Sequence, residues 1–336
     1  MRMDTGKLPA DFLDKLLKKN KIRDTRVVLG PKPGEDAALI DLGDRYLVAK
    51  TDPITFATDL IGWYVVQVNS NDLAVMGATP KWLLVTLLLP EGVESDVVDS
   101  IFDQLIEACD ALDISLIGGH TEITHDIDRP IAVGALLGEV DKEKAILTSD
   151  AKSGDSIILT KGIAVEGTAL LARETPEALL AAGVSQGTVD QAADLLFNPG
   201  ISVVTEARIM SSVADVHSMH DPTEGGLATG LRELAKTAGL GLIVDKRNIP
   251  VLDVCREICS ALELDPMGLI ASGSLLATVS SMDAPRVVST LIREGIEACE
   301  IGSITPMRDG IKMRTPEGVR ELPSFPRDEV ARYFGR

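Results

Sequence analysis

The sequence predicts an α+β fold (mixed α/β) divided between two domains, and three observations carry that reading. The chain has 336 residues, more than one hydrophobic core usually organises. Patterns of buried strand and amphipathic helix interleave along its length, while hairpin signals between some strands argue against a purely parallel sheet. A polar, turn-rich stretch, "DKEKAILTSDAKSGD" at 141–155, separates two such halves, so domains are expected at 1–148 and 149–336.

In chain order, Leu13, Leu16 and Leu17 stand at helical spacing and predict a helix within the first twenty-odd residues. "AALIDLG" reads as a strand that turns at Gly43-Asp44 and returns as "RYLVAKTD"; Asp52 ends it, because Pro53 prevents simple continuation. In "DLIGWYVVQVNSNDLAVMG" the apolar Ile61, Val65, Val68, Ala74 and Val75 fit a helix, straight or bent, closed by Pro80. "KWLLVTLLLP" is a buried strand. "SDVVDSIFDQLIEACDAL" is a helix with Ser95 as N-cap and Val98, Phe102, Leu105, Cys109 and Leu112 on one face. "ISLIGGHTEIT" is a strand leaving through two glycines, and "RPIAVGALLGEV" is another. In the second half, "SIILTKGIAVEGTALLA" supplies a strand, a glycine turn and a helix. "TEGGLATGLRELAKTAG" is a helix opening on paired glycines, "GLIVD" is a short strand, and "VLDVCREICSAL" and "MDAPRVVSTLIREG" are helices.

With 33 basic against 51 acidic residues the net charge is −18, which argues against nucleic acid or an anionic membrane surface as the main partner. The polar N-terminus has no apolar signal segment, and no apolar run reaches membrane-spanning length. Cys109, Cys255, Cys259 and Cys299 form no CxxC pair, and Cys255 and Cys259, four apart on a helix, read as small buried side chains. These features predict a cytoplasmic protein with reduced thiols. His125 and His217 read as solvated, and Lys32 as an ordinary loop lysine.

The acids are more informative. Asp36, Asp52 and Asp72 lie at turns or helix positions beside buried apolar segments, all in the first half. Asp72 closes the run Asn69-Ser70-Asn71-Asp72 inside an otherwise apolar helix, where it sacrifices burial and helix propensity together. Clustered carboxylates raise one another's pKa unless a cation neutralises them, and magnesium favours oxygen ligands together with phosphate. Two glycine stretches accompany them. "LIGGHTE" at 116–122 lets backbone amides approach a ligand, and in "HDPTEGGLATGLREL" at 220–234, Asp221 leads into Gly225 and Gly226 at a helix start, where free N–H groups attract phosphate. No GxxxxGK[ST] or GxGxxG motif occurs, so a bound nucleotide would be held through metal on carboxylates and glycine amides.

"GEDAALI", "TDPITFATDLIGW", "NSNDLAVMGATPKW", "LIGGHTEIT", "NPGISVVTEA" and "HDPTEGGLATGLRELA" follow one another in the order found in HypE-type hydrogenase maturation proteins. The chain thus resembles, from about Gly30 to about Ser303, members of the superfamily of AIR synthetase, thiamine-monophosphate kinase and selenophosphate synthetase. The resemblance implies an N-terminal α+β domain whose sheet pairs across a homodimer, and a larger C-terminal α/β domain, with ATP and Mg2+ between them. It implies metal or phosphate roles for Asp36, Asp52, Asp72 and Asp221, and a lesser one for Glu35, at a position often Asp in relatives. Asn71, Gly118, Gly119, Thr121, Lys161, Gly225 and Gly226 would line the nucleotide, and Asp72, Asp221 and His120 would stand at the chemistry, His120 in a neutral, hydrogen-bonding role beside Glu122.

HypE resembles a carrier whose flexible tail ends in a cysteine that accepts a carbamoyl group, which ATP then dehydrates to a thiocyanate. This sequence ends "SFPRDEVARYFGR", with its last cysteine at Cys299. The expectation is therefore an ATP-dependent enzyme that activates an amide or carbonyl oxygen by phosphorylation, with a cysteine-bearing maturation partner supplying the thiol. Two other readings stay open: a small-molecule kinase resembling thiamine-monophosphate kinase, and a nucleotide-responsive, non-catalytic partner in a maturation complex.

Overall fold

The structure, a computed structural model, describes Leu8 and residues 10–335. Its contacts divide the chain into two compact units. The first comprises residues 22–30 and 36–145; the second comprises Ile146 onward with residues 31–35 and the helix α1 (Ala10–Leu17). The expected N-terminal helix is α1, and its predicted beginning at residues 1–7 and 9 lies outside the described residues.

The first unit is built from β1 (Val27–Leu29), β2 (Ala38–Asp41), β3 (Arg45–Ile54), α2 (Ile61–Val75), β4 (Thr79–Pro90), α3 (Ser95–Ala111), β5 (Ser115–Thr124) and β6 (Ile131–Asp141). Its six-stranded sheet has the order β1-β2-β3-β6-β4-β5. All neighbours are antiparallel except β4 and β5, which α3 connects as a crossover. The predicted hairpin is β2–β3, its turn fixed by the Gly43 N–H donating to Asp41 Oδ1 at 2.7 Å. Helix α2 lies against β3, β4, β6 and α3, and only Trp63 and Val68 among its residues are not buried. A helix enclosed this way must bury its polar residues as well, and that brings Asn69 through Asp72 inside.

Four local expectations are corrected. Strand β3 does not stop at Asp52 but runs through Pro53, which faces Val133 on β6. Pairing with β2 ends at Ala49, so Pro53 has a strand on one side only, where proline is tolerated. Ser95 is the first helical residue of α3 rather than its cap, which is Glu94 with no side-chain cap bond. The buried face of α3 is Ile101, Leu105, Ala108 and Cys109, and Phe102 is exposed. Finally, β5 does not leave through its glycines: Gly118 and Gly119 are interior strand residues with φ of 151° and 150°. Gly119 passes so near β4 that a Cβ there would stand 1.9 Å from the Val85 carbonyl oxygen.

The second unit continues with β7 (Ser156–Thr160), α4 (Val165–Glu174), α5 (Pro176–Ala181), α6 (Gln186–Ala193), α7 (Val204–Val213), β8 (Val216–His220), α8 (Gly226–Ala238), β9 (Gly241–Asp245), α9 (Asp253–Leu262), β10 (Leu276–Val279), α10 (Ala284–Arg293), β11 (Ala298–Thr305), β12 (Ile311–Thr315), β13 (Gly318–Glu321) and α11 (Glu329–Phe334). Its sheet order is β13-β12-β9-β11-β7-β10-β8, antiparallel except for β9 and β12. Every residue of β7 is buried, as its unbroken apolar run requires for a strand inside a sheet. Ile157, Leu159, Leu227, Leu231, Leu234, Leu242, Val244, Ile301 and Ile304 form the core.

The segment after β13 is fastened onto this unit. Leu322 enters the core and Phe325 packs beside Gly268, where a Cβ would come within 2.4 Å of its ring. Arg232 of α8 donates to the Leu322 carbonyl and, at 3.3 Å, to that of Pro323. Glu329 accepts from the Asp265 N–H at 3.0 Å and pairs with Arg332 at 2.6 Å. No helix among the described residues is long and apolar enough to cross a membrane.

Candidate functional site

In the first unit the structure brings Asp52 and Asp72 together around a lysine that the motif reading missed. Lys50 Nζ lies 3.1 Å from Asp72 Oδ1 and 3.4 Å from Asp52 Oδ2, with Asp36 adding to the field. Asp72 is nearly enclosed, its side chain 5% exposed, and Lys50 is four-fifths buried. Burial pulls the lysine pKa down, but attraction to Asp72, Asp52 and Asp36 outweighs it and holds the ammonium above its ordinary value. Val48, Lys50 and Asp52 alternate along β3 and so share a face. That periodicity was the signal for Lys50: a lysine in step with a fully buried valine.

The polar run of α2 has a mechanical part and an acidic part. Asn69 Oδ1 accepts from the Asp52 N–H at 3.0 Å, while its Nδ2 donates to the Val65 carbonyl at 2.8 Å and to that of Asp52 at 3.4 Å. Asn69 therefore clamps the Asp52 backbone to the helix. Gly134 on β6 makes the room, since a Cβ there would sit 2.5 Å from Asn69 Nδ2. Ser70 and Asn71 are fully buried beside it. Asp52 and Asp72, drawn to one lysine, offer the hard carboxylate oxygens that a divalent cation such as Mg2+ takes.

Glu35 and Asp36 part company. Glu35 Oε2 accepts from the Thr148 N–H at 3.0 Å and its Oε1 from the Ser149 N–H at 3.2 Å, with Lys32 3.5 Å away, all in the second unit. Its carboxylate tethers a backbone turn, and that accounts for its charge without a metal.

Gly118, Gly119, His120 and Thr121 line a recess of about 430 Å³ with Val85, Leu87, Phe102, Leu105, Leu116 and Ile117. They are not at the carboxylate cluster. Strands β6 and β4 separate β5 from β3, about 14 Å at ordinary strand spacing. His120 and Glu122 are exposed and pair at 3.2 Å.

In the second unit Asp221 follows β8 and is buried, and His220 before it meets Glu233 at 3.1 Å. The turn into α8 uses Gly225 in the left-handed conformation, φ 81°. Its amide does not await a phosphate: the Gly225 N–H donates to Asp328 Oδ2 at 2.6 Å. Asp328 also caps α11, accepting from the Val330 N–H at 2.7 Å. Burial pushes its pKa up to about 6, with the charge of Glu224 adding. Glu166 on α4 sits nearby, hydrogen-bonded to Ser272; burial first, then repulsion from Asp328 and Glu224, pushes it up to about 7. Neither Asp328 nor Glu166 belongs to a motif that sequence reasoning had singled out.

Lys161 is likewise committed. Its Nζ donates to the carbonyls of Gly200 at 3.1 Å and Ser202 at 2.6 Å and pairs with Glu206 at 2.6 Å, both side chains buried. It binds the 198–202 loop to α7 rather than facing solvent. His217, expected to be solvated, is mostly buried with Nδ1 2.9 Å from both Asp155 carboxylate oxygens, whereas His125 is exposed. Cys109 and Cys299 are pushed up to about 11, chiefly by burial. Cys255 and Cys259 are buried on α9 with sulfurs 3.9 Å apart.

Comparison with known proteins places these features in company. Residues 34–140 match the family described as AIR synthase related protein, N-terminal domain, and residues 152–312 match the corresponding C-terminal domain. A putative hydrogenase expression/formation protein of Methanocaldococcus jannaschii is 30% identical over 324 residues, 94% of this chain and 93% of that protein. A carbamoyl dehydratase HypE of Rhodobacter capsulatus is 26% identical over 293 residues, covering 84% and 82% of the two chains. Among solved structures, a hydrogenase maturation protein HypE in complex with ATP shares the fold, with a TM-score of 0.70 at 24% identity over 88% of this chain and 90% of that one.

Proposed function

This chain is a HypE-like member of the AIR synthase-related family, and from that premise we propose that it is an ATP-dependent enzyme that phosphorylates an amide or carbonyl oxygen in metalloenzyme maturation. The observation that carries the reading is the meeting of Asp52 with the buried Asp72 on Lys50 in the first unit, with Asp36 in the same field, where an ordinary core would place apolar side chains.

The chemistry is that of a dehydration. The terminal phosphoryl group of ATP passes to the oxygen of a carboxamide, ADP departs, and the oxygen then leaves as phosphate, taking the electron pair of its bond to carbon. The nitrogen gives up its protons and a nitrile or thiocyanate results. Asp36, Asp52 and Asp72 hold charge for this reaction, Asn71 stands beside Asp72 on α2, and Asn69 fixes Asp52 by its backbone. A magnesium ion held by these carboxylates would supply neutralisation of the polyphosphate, leaving catalysis mainly to positioning and electrostatics. Asp221, His120, Thr121 and the glycines Gly118, Gly119, Gly225 and Gly226 belong to the proposal on the resemblance alone. Three candidates have other work in the fold: Glu35 tethers a turn, Lys161 forms an ion pair, and the Gly225 amide donates to Asp328.

The acceptor thiol, on this reading, belongs to a cysteine-bearing partner. Nucleophilic sulfur must be thiolate and accessible, whereas Cys109, Cys255 and Cys259 are buried and Cys299 holds its proton up to about 11. The free thiols also suit the cytoplasm. A homodimer is part of the same proposal. Strand β5 is an exposed sheet edge carrying Ile117 and Ile123, 53% and 63% accessible, the kind of edge that proteins cover.

The test is ADP release from Mg·ATP by purified protein offered a peptide with an S-carbamoyl cysteine, against thiamine monophosphate as control. Turnover with the carbamoyl peptide supports the dehydratase reading. Turnover with thiamine monophosphate alone supports the kinase, and no turnover with either contradicts an autonomous enzyme.

A further inference from the structure

Carboxylates drawn together repel one another, and such an arrangement persists only with positive charge among them. In HypE-type chemistry that charge is expected from a metal. In this chain it is already covalently present. Lys50 approaches Asp72 Oδ1 at 3.1 Å and Asp52 Oδ2 at 3.4 Å, with Asp36 in its field, and its side chain is only 21% exposed. Its location is set by the sheet: β3 pairs with β6 throughout, so the step from Val48 to Lys50 to Asp52 delivers the ammonium and one carboxylate to the same face. Helix α2 brings Asp72 to it, and the Asn69 clamp fixes the distance between helix and strand.

We propose that Lys50 is the resident counter-ion of the Asp52–Asp72 pair, taking the place that one divalent cation would otherwise fill and holding the two carboxylates in position before any metal arrives. An ammonium and a divalent ion compete for the same oxygen lone pairs, because each bonds to them directly. Two carboxylates and one ammonium leave one negative charge, so a divalent ion must displace the ammonium or arrive with phosphates of its own. Lys50 is in this sense a positioning residue: it keeps Asp72 aimed. The inference concerns the same carboxylates as the proposed function, but its test needs no nucleotide.

The experiment is thermal unfolding of the full chain as wild type, Lys50→Met and Lys50→Arg, each prepared in magnesium chloride and then measured in EDTA or in millimolar magnesium. In EDTA, Lys50→Met is expected to melt roughly 5–10 °C below wild type, the scale for removing one partner of a buried ionic cluster. Magnesium restores most of that loss, and its effect on Lys50→Met exceeds its effect on wild type. Lys50→Arg, which keeps the charge, stays near wild type in both. Equal magnesium responses of wild type and Lys50→Met overturn the proposal, as does a Lys50→Met protein that fails to fold in magnesium as well as in EDTA, because a purely structural lysine would not be replaceable by a metal ion. No nucleotide enters, so a chain that never binds ATP can still pass this test, and an ATP enzyme can fail it.

Discussion

Replacing Glu166 by Gln is expected to make the protein more stable at alkaline pH and to flatten its stability between pH 5 and 8. Glu166 is buried on α4, hydrogen-bonded to Ser272, with Asp328 and Glu224 adding negative charge. Its pKa rises from an ordinary 4.5 to about 7. A carboxyl that binds its proton more tightly in the folded than in the unfolded chain stabilises the fold in acid, and that contribution disappears as pH rises through the folded value. The difference corresponds to roughly 3 kcal/mol, present below pH 4.5 and gone above about pH 7. Asp328, raised from 3.8 to about 6, acts with the same sign. The two effects are not independent, because the Asp328 charge contributes to the rise at Glu166. Carboxylates held low by arginine, Asp24 and Asp245 at about 2, act in the opposite sense, but below the window measured. Urea unfolding at pH 5, 6, 7 and 8 measures the effect. Glu166→Gln should match wild type near pH 5 and exceed it by roughly 2–3 kcal/mol at pH 8. Parallel curves for the two proteins would refute the reasoning, since the buried carboxylate would then not be titrating in this range.

Two further perturbations probe the framework of the site. Lys161→Met leaves Glu206 as a buried charge without its ammonium and is expected to cost about 3–5 kcal/mol; chemical denaturation checks it, and a loss below 1 kcal/mol counts against the pair. Gly134→Ala drives a methyl group into Asn69 Nδ2 at 2.5 Å, for an expected cost of about 1–3 kcal/mol. Its amide exchange should quicken at Asp52, whose N–H the Asn69 side chain receives; unchanged protection there contradicts the clamp.

What could be read from the sequence followed local patterns. The Asn69–Asp72 run was legible because polar residues inside an apolar helix contradict its own burial. The strand–helix interleaving and the β2–β3 hairpin were legible for the same reason, as periodicity and turn chemistry act over a few residues. Phe102 was misplaced because several registers of one apolar stripe fit a helix of that composition, and only packing on the sheet selects among them. Glycines usually interrupt strands, and β5 breaks that rule because Gly119 must pass close to the β4 backbone. The Gly225 amide looked like a free helix end, yet its partner Asp328 lies 103 positions along the chain. Lys161 looked like a lysine beside a glycine turn, and its role as anchor depends on carbonyls 39 and 41 residues away. Lys50 was within reach of the strand alternation that places it beside Asp52.

The central claim is that Asp72 and its neighbouring aspartates of the first unit hold the metal that balances a nucleotide's phosphates, and calorimetric titration of Mg·ATP into wild type and Asp72→Asn tests it most directly. Saturable binding by wild type, lost or at least tenfold weaker in a folded Asp72→Asn protein, is the predicted result, a factor of about 1.4 kcal/mol or more. Equal binding by both proteins, or none by wild type, would contradict it.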